Sequence, residues 1–324
     1  PKQFLSLFDK KPMIILTSKR LTGLVKVKDQ YYVIPVDLIR MARRNFKLKQ
    51  LIVEPAGRNT AAAIGLAALM LKKKLGDAVM FVLPSDHLIR DKSNFQRCLS
   101  FASDLACQGY LVTFGIKPIR PETGYGYIKC GKIIKTSKDL VAFRVEAFKE
   151  KPDWATAKDY LKATNYFWNS GIFVWRISTI IEALKSCAPG LYQGLIRYLK
   201  TRNPEIFKRL PSISIDYQVM EKAKRIALIK AAFDWDDVGS WDALARYYRK
   251  DAKGNVVLGR HIGIDTKDSI VFSEDRLIAT IGIQDMIIVD SGSEVLICRK
   301  DQLGKIREVV KETQKRRTKS RRNI

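Results

Sequence analysis

The chain has 324 residues, 46% of them hydrophobic, with 59 Lys and Arg against 33 Asp and Glu and a net charge of +26. That is length for about two domains and ample material for a core. No apolar run approaches the roughly 18 residues of a membrane span, and no signal peptide is expected.

The five cysteines, Cys98, Cys107, Cys130, Cys187 and Cys298, are scattered without metal-ligand spacing, which fits free thiols and a cytoplasmic location. The positive charge is spread along the chain and reads as a solvated surface, so neither nucleic acid nor membrane is expected as a partner. The single basic block, KRRTKSRR at 315–322, lies in a segment, 314–324, that reads as a disordered tail.

In chain order, Pro12 opens a helix-like segment to about residue 24. Residues 31–35 read as a strand, 36–46 as a helix and 48–54 as a β-rich run. Asn59 suits the N-cap of a helix over 60–74, which Gly76 closes. Residues 79–83 read as a buried strand. Phe95, Cys98, Leu99, Ala102, Leu105 and Ala106 keep a helical period, and 110–116 is the next strand. Strands alternating with helices predict an α/β domain with a parallel, doubly wound sheet. Further on, 171–175 and 226–231 read as strands, and 177–187, 214–224 and 240–249 as helices. After Lys253 short apolar strands recur between Gly, Asp and Ser turns, which suits a small β-solenoid closed by a helix over 303–312. The domain boundary is placed near 252, giving domains over 1–252 and 253–313.

Strand ends carry the candidate chemistry. In an open α/β sheet, ligands bind at the carboxyl ends of the strands. Asp86 follows the strand over 79–83 in VLPSDH. Asp237 stands in WDDVGSW. Two carboxylates from distant strand ends can clamp one Mg²⁺, which prefers oxygen ligands; each could equally cap a turn or helix. In PETGYGYI, Gly126 would let a backbone approach a ligand closely, or make an ordinary hairpin. Glu150 and Lys151 could place a hydroxyl-binding carboxylate beside a phosphate-binding ammonium, or form a solvated pair. Asn169 could give amide contacts to a sugar or sit in a turn. His87 is expected to shape its loop rather than act as a base.

Taken together and in order, these segments resemble the mannose-1-phosphate guanylyltransferases of the sugar-nucleotidyltransferase superfamily. The resemblance rests on PKQFL at 1–5, EPAGRNTAAAIGLAA at 54–68, VLPSDH at 82–87, FGIKPIRPETGYGYI at 114–128, EKPDWATAKDYL at 150–161, WNSGIFVW at 168–175, SIDYQVMEK at 214–222 and WDDVGSW at 235–241. It implies a Rossmann-like nucleotidyltransferase domain with a mixed, mostly parallel sheet, followed by a small left-handed β-helix-like domain. It also implies the reaction of GTP with mannose 1-phosphate to give GDP-mannose and pyrophosphate. By resemblance, Asp86 and Asp237 hold Mg²⁺ and Lys2 contacts the nucleotide phosphates. Glu54, Gly57, Arg58 and Asn59 line the guanine and ribose pocket. Gly126, Glu150 and Asn169 hold mannose hydroxyls, and Lys151 reaches the sugar phosphate. A homodimer through the β-domain is compatible with the pattern.

Departures are Ala62 where the family usually has Pro, Lys129 where it often has Glu, and Lys149 before EKP. The family's glycine-rich loop, L-A-G-G-x-G-x-R-L-W-P, belongs just upstream of PKQ, and this sequence starts at Pro1. The expectation is a fragment of an active enzyme. The alternative is a non-catalytic regulatory relative that binds a sugar nucleotide and a partner subunit. Without a cupin-type domain after the solenoid, isomerase activity is not expected.

Overall fold

The structure is a computed structural model that describes residues 2–9, 11–292, 294–306, 308–309 and 312–313. The tail expected over 314–324 and part of the closing helix expected over 303–312 lie outside them. The chain divides into two compact units, Pro1–Asp237 and Val238–Ile324.

In the first unit α1 (Met13–Arg20) precedes β1 (Tyr32–Pro35), α2 (Ile39–Arg44) and β2 (Leu51–Glu54). β1 and β2 pair in parallel as a two-stranded sheet. Then come α3 (Asn59–Leu75), β3 (Val79–Val82), α4 (Lys92–Cys107) and β4 (Leu111–Ile116). A long hairpin of β5 (Tyr127–Ser137) and β6 (Leu140–Lys149) leads to α5 (Trp154–Lys162) and β7 (Tyr166–Arg176). α6 (Ile177–Cys187), α7 (Pro189–Thr201), α8 (Pro204–Lys208) and β8 (Ile226–Lys230) complete the unit.

The main sheet has the order β3-β7-β4-β8-β6-β5. Its pairing is mixed: β4 and β8 run parallel, while β7 lies antiparallel between β3 and β4. β6 is antiparallel to both β5 and β8. Alternate strand residues feed two cores, as a sheet covered on both faces requires. Leu111, Phe173, Trp175 and Ile226 pack with α3, α6 and α7. Val112, Phe114, Ile172, Val174, Ala227 and Ile229 pack with Phe95, Leu99 and Ala102 of α4.

Three local expectations change. β3 is only partly buried, and among the described residues β7 is its strand partner. The helix expected over 214–224 is a five-residue π-helical turn, Asp216–Met220. Asn59 does not cap α3 from the N-cap position: it has φ 61° and its Oδ1 accepts the adjacent Thr60 N–H at 2.7 Å.

In the second unit α9 (Trp241–Ala245) precedes β9 (Val256–Ile264), β10 (Ile270–Ile281), β11 (Met286–Asp290) and β12 (Val295–Arg299). The Trp241 ring lies 5.4 Å from that of Phe272 on β10, so the residues just after Asp237 pack with the strands that follow them. β9, β10 and β11 stack in parallel with Val256, Ile270 and Ile287 in register, which is the β-helix arrangement. β12 turns back antiparallel to β11. Polar groups inside the coils satisfy one another: Ser269 N–H donates to Asn255 Oδ1, Asn255 Nδ2 to the Thr266 carbonyl, and Met286 N–H to Ser269 Oγ. Asp265, Asp268 and Asp285 take positive φ at the corners, a conformation Asp tolerates better than most residues. Among the described residues no helix is long and apolar enough to cross a membrane, and all five cysteines are free.

Candidate active site

Asp86 follows β3 and Asp237 follows β8, strands separated in the sheet by β7 and β4. A short backbone bridge draws their loops together. Leu88 N–H donates to the Asp236 carbonyl at 2.8 Å, and Asp236 N–H returns to the Leu88 carbonyl at 3.1 Å. Lys2, in a 3₁₀ turn, joins both loops. Its Nζ lies 3.3 Å from Asp86 Oδ2 and donates to the Asp237 carbonyl at 2.5 Å. Sequence separation across this contact exceeds 230 residues, so the fold alone makes it.

Residues around this junction brace it. The Arg20 guanidinium, buried and pulled down to about 10 by desolvation, donates to the His87 carbonyl at 2.7 Å. Trp235 Nε1–H donates to His87 Nδ1 at 3.1 Å. Burial pushes the His87 imidazole down to about 4, so it stays neutral at physiological pH and serves its loop as an acceptor. Tyr125 donates its hydroxyl to Asp237 Oδ1 at 2.5 Å; burial and that carboxylate hold the phenol above its ordinary range.

Tyr125 also leads into the second cluster. Its ring meets Trp168 and Trp235 edge-on, and the next residue, Gly126, packs on the Glu150 carboxylate. A Cβ at Gly126 would stand 2.3 Å from Glu150 Oε2 and 3.4 Å from Asn169 Cβ, so glycine is what lets the three residues meet. Asn169 N–H donates to the Gly126 carbonyl at 2.8 Å. Glu150 is buried and pairs with Lys151 at 2.8 Å, and Lys151 takes φ 48° to fold back. Burial disfavours the Lys151 ammonium but Glu150 outweighs it, and the net shift is upward. Asp216, not singled out in the sequence, joins this cluster by accepting from Asn169 Nδ2 at 2.8 Å. Desolvation and the nearby Glu150 lift its carboxyl to about 6.

Glu54, Gly57, Arg58 and Asn59 line the loop from β2 into α3. Glu54 is 6% exposed, and burial raises its carboxyl to about 7. Its Oε1 and the Arg58 Nε are buried with no hydrogen-bond partner. Gly57 is open, with nothing near the position of a Cβ. The loop is clasped to the segment before Asp216: Ile215 N–H donates to Thr60 Oγ1 at 2.8 Å, and Ala61 N–H to the Ile213 carbonyl.

Lys2, Asp86 and Asp237 therefore converge, as do Gly126, Glu150, Lys151 and Asn169, while Glu54 and Arg58 supply buried polar atoms on a third loop. Arg20, Thr60, Tyr125 and Asp216 are the residues sequence reasoning missed. Tyr125 had a signal, since it stands between the two glycines of the TGYGY phrase.

The profile of the nucleotidyl transferase family matches residues 1–254. The chain belongs to that family. Residues 259–313 match a mannose-phosphate isomerase/GMP-like β-helix domain. A mannose-1-phosphate guanylyltransferase from Salmonella muenchen is 37% identical over 96% of this chain and 68% of its own length. Its namesake from Escherichia coli K12 is 36% identical with the same coverage. A crystal structure from Thermus thermophilus, described as a mannose-1-phosphate geranyltransferase, superposes with a TM-score of 0.84 at 36% identity. That match covers 97% of this chain and 92% of the other. The chain is thus a nucleotidyltransferase with a β-helix-like second domain, akin to the mannose-1-phosphate guanylyltransferases.

Proposed function

We propose that this nucleotidyltransferase moves GMP from GTP to mannose 1-phosphate. A phosphate oxygen of mannose 1-phosphate attacks the α-phosphorus of GTP. The bond from that phosphorus to the β-phosphate bridging oxygen breaks, and pyrophosphate leaves with the electron pair. The observation that carries the reading is the convergence of Lys2, Asp86 and Asp237 across the Leu88–Asp236 bridge, beside a cluster that presents a carboxylate, an ammonium and a carboxamide. Such chemistry needs little covalent help; it needs positioned substrates and neutralised phosphate charge.

Each residue has a task within that demand. Lys2 offers its ammonium to the triphosphate. Glu150 and Asn169 receive mannose hydroxyls, and Lys151, held on Glu150, offers its ammonium to the sugar phosphate. Glu54 and Arg58 have unpaired atoms for the nucleoside. Asp86 and Asp237 are the hard oxygen donors that Mg²⁺ requires. Among the described residues no cluster of three or more His, Cys, Asp or Glu surrounds them, so substrate phosphates and water would complete the coordination. Bound there, Mg²⁺ would neutralise charge on the reacting phosphate groups.

The test is Mg²⁺-dependent pyrophosphate release from GTP and mannose 1-phosphate by the full-length gene product. Release that requires both substrates supports the reading. No release from a protein that still binds GDP-mannose would instead point to a regulatory relative.

A further inference from the structure

Asn169 can act on a sugar in only one orientation, and two neighbours set it. Its Oδ1 receives Gly171 N–H at 3.2 Å, while Thr113 Oγ1, 3.2 Å from the same oxygen, gives its one hydrogen to the Ile172 carbonyl at 3.0 Å. Its Nδ2 gives one hydrogen to Asp216 Oδ1 at 2.8 Å. Flipping the carboxamide would set its NH₂ against the Gly171 N–H and its oxygen against the Asp216 carboxylate. The network thus leaves one Nδ2 hydrogen unassigned, in the cluster where Gly126 admits the Glu150 carboxylate.

We infer that Asp216 is a positioning residue of the sugar subsite, holding the Asn169 carboxamide so that one N–H remains for a sugar hydroxyl beside Glu150. This rests on the guanylyltransferase reading above. Asp216 sits in a π-helical turn, a rare element that recurs at functional sites. Its placement costs stability, because a second carboxylate is desolvated near Glu150. An apolar side chain could fill the space without that cost, but it could not accept from Asn169.

The charged groups around the turn are few. The end of β6 brings Glu150, which raises the Asp216 carboxyl, and Lys151, which lowers it. The segment after the turn brings Glu221, which accepts from Glu150 N–H. Tyr217 donates its hydroxyl to the Glu150 carbonyl. α6 brings Cys187, whose carbonyl accepts from Gln218, while its Glu182 and Lys185 pair with each other. α3 starts after Arg58 and carries Lys72, Lys73 and Lys74 at its far end.

The experiment compares wild type, Asp216→Ala, Asp216→Asn, Asn169→Ala and the Asn169→Ala/Asp216→Ala double variant in steady-state kinetics and in calorimetric binding of mannose 1-phosphate. Asp216→Ala should raise KM for mannose 1-phosphate about tenfold and leave KM for GTP within about twofold. Added to Asn169→Ala, it should cost nothing further. Asp216→Asn keeps an acceptor but not its charge. Its binding should be about threefold weaker than wild type at pH 8 and converge with wild type at pH 5, where Asp216 is protonated. The second ionisation of the sugar phosphate, near pH 6, affects both proteins alike, so the ratio isolates Asp216.

An equal rise in KM for GTP, no rise for mannose 1-phosphate, or a full additive cost in the double variant would overturn the inference. Should Asp216→Ala not fold, a binding ratio for Asp216→Asn that is the same at both pH values would overturn it. A wild type that turns over no mannose 1-phosphate would sink the guanylyltransferase reading itself, whereas an active wild type with indifferent Asp216 variants would sink only the role of Asp216.

Discussion

At the cluster around Gly126, Asn169, Asp216, Glu150 and Lys151 each meet a partner within the folded chain, whereas on the loop after β2 a Glu54 carboxyl oxygen and the Arg58 Nε are buried with none. The first region is set before any ligand arrives. Its donors and acceptors hold their geometry at no further ordering cost, which is what electrostatic preorganisation requires. The second carries an unmet demand, and buried polar atoms without partners are exceptional in folded proteins. Under the proposed function the nucleoside supplies what is missing. One site thus treats its two substrates differently, matching one in advance and being completed by the other.

The junction between the regions can be broken outright. Asp237→Ala or Asp86→Ala should lower kcat/KM by about 10³-fold or more while the circular dichroism spectrum stays that of wild type. Near-normal turnover in Mg²⁺ by either variant would remove its assignment as a metal ligand. Damage confined to the preorganised side comes next. Gly126→Ala places a methyl group against Glu150 Oε2, so KM for mannose 1-phosphate should rise at least about tenfold with little change for GTP. Equal rises for both substrates would show that the two regions are not separable.

The loop after β2 is sharpened by a stability measurement. Glu54 titrates near the ordinary value of 4.5 when unfolded and at about 7 when folded. The folded chain therefore holds an extra proton between those values, and stability falls as pH rises through that window. Above pH 7 the ionised carboxylate costs up to roughly 3 kcal/mol. Glu54→Gln should accordingly raise stability in urea at pH 8, give no gain at pH 4, and weaken GTP binding. A gain of the same size at both pH values would disprove the linkage. The smallest effect is expected at the clasp between the regions. Thr60→Ala leaves the Ile215 N–H without its acceptor and should cost about 1 kcal/mol in the same urea titration. No measurable cost would mean that water replaces the hydroxyl fully.

How much of this was legible in the chain depended on distance. Asp86 and Asp237 could be read because each follows an apolar strand, and Gly126, Glu150 and Asn169 because their surrounding phrases are distinctive. The helical period of α4 and the recurrent short strands of the solenoid also stand in the sequence. Asp216 stands in the phrase SIDYQVMEK yet is not singled out there, since its partner Asn169 lies 47 positions away and its own segment reads simply as a helix. Tyr125 gained its role from Asp237, 112 positions away. β3 reads as buried because its composition is apolar, but a strand's burial depends on the neighbours that pair with it, which its own residues do not report. Periodicity reports one face of one element; it carries no information on neighbours chosen by topology.

The Leu88–Asp236 bridge has a consequence for how such a site can diverge. Main-chain atoms make it, so its register is set by the number of residues in the two loops. A single inserted or deleted residue between β3 and Leu88, or between β8 and Asp236, would shift the register and move one carboxylate off its mark. In this part of the chain, loop length is therefore a heritable quantity in its own right, beside the identity of the side chains the loops carry.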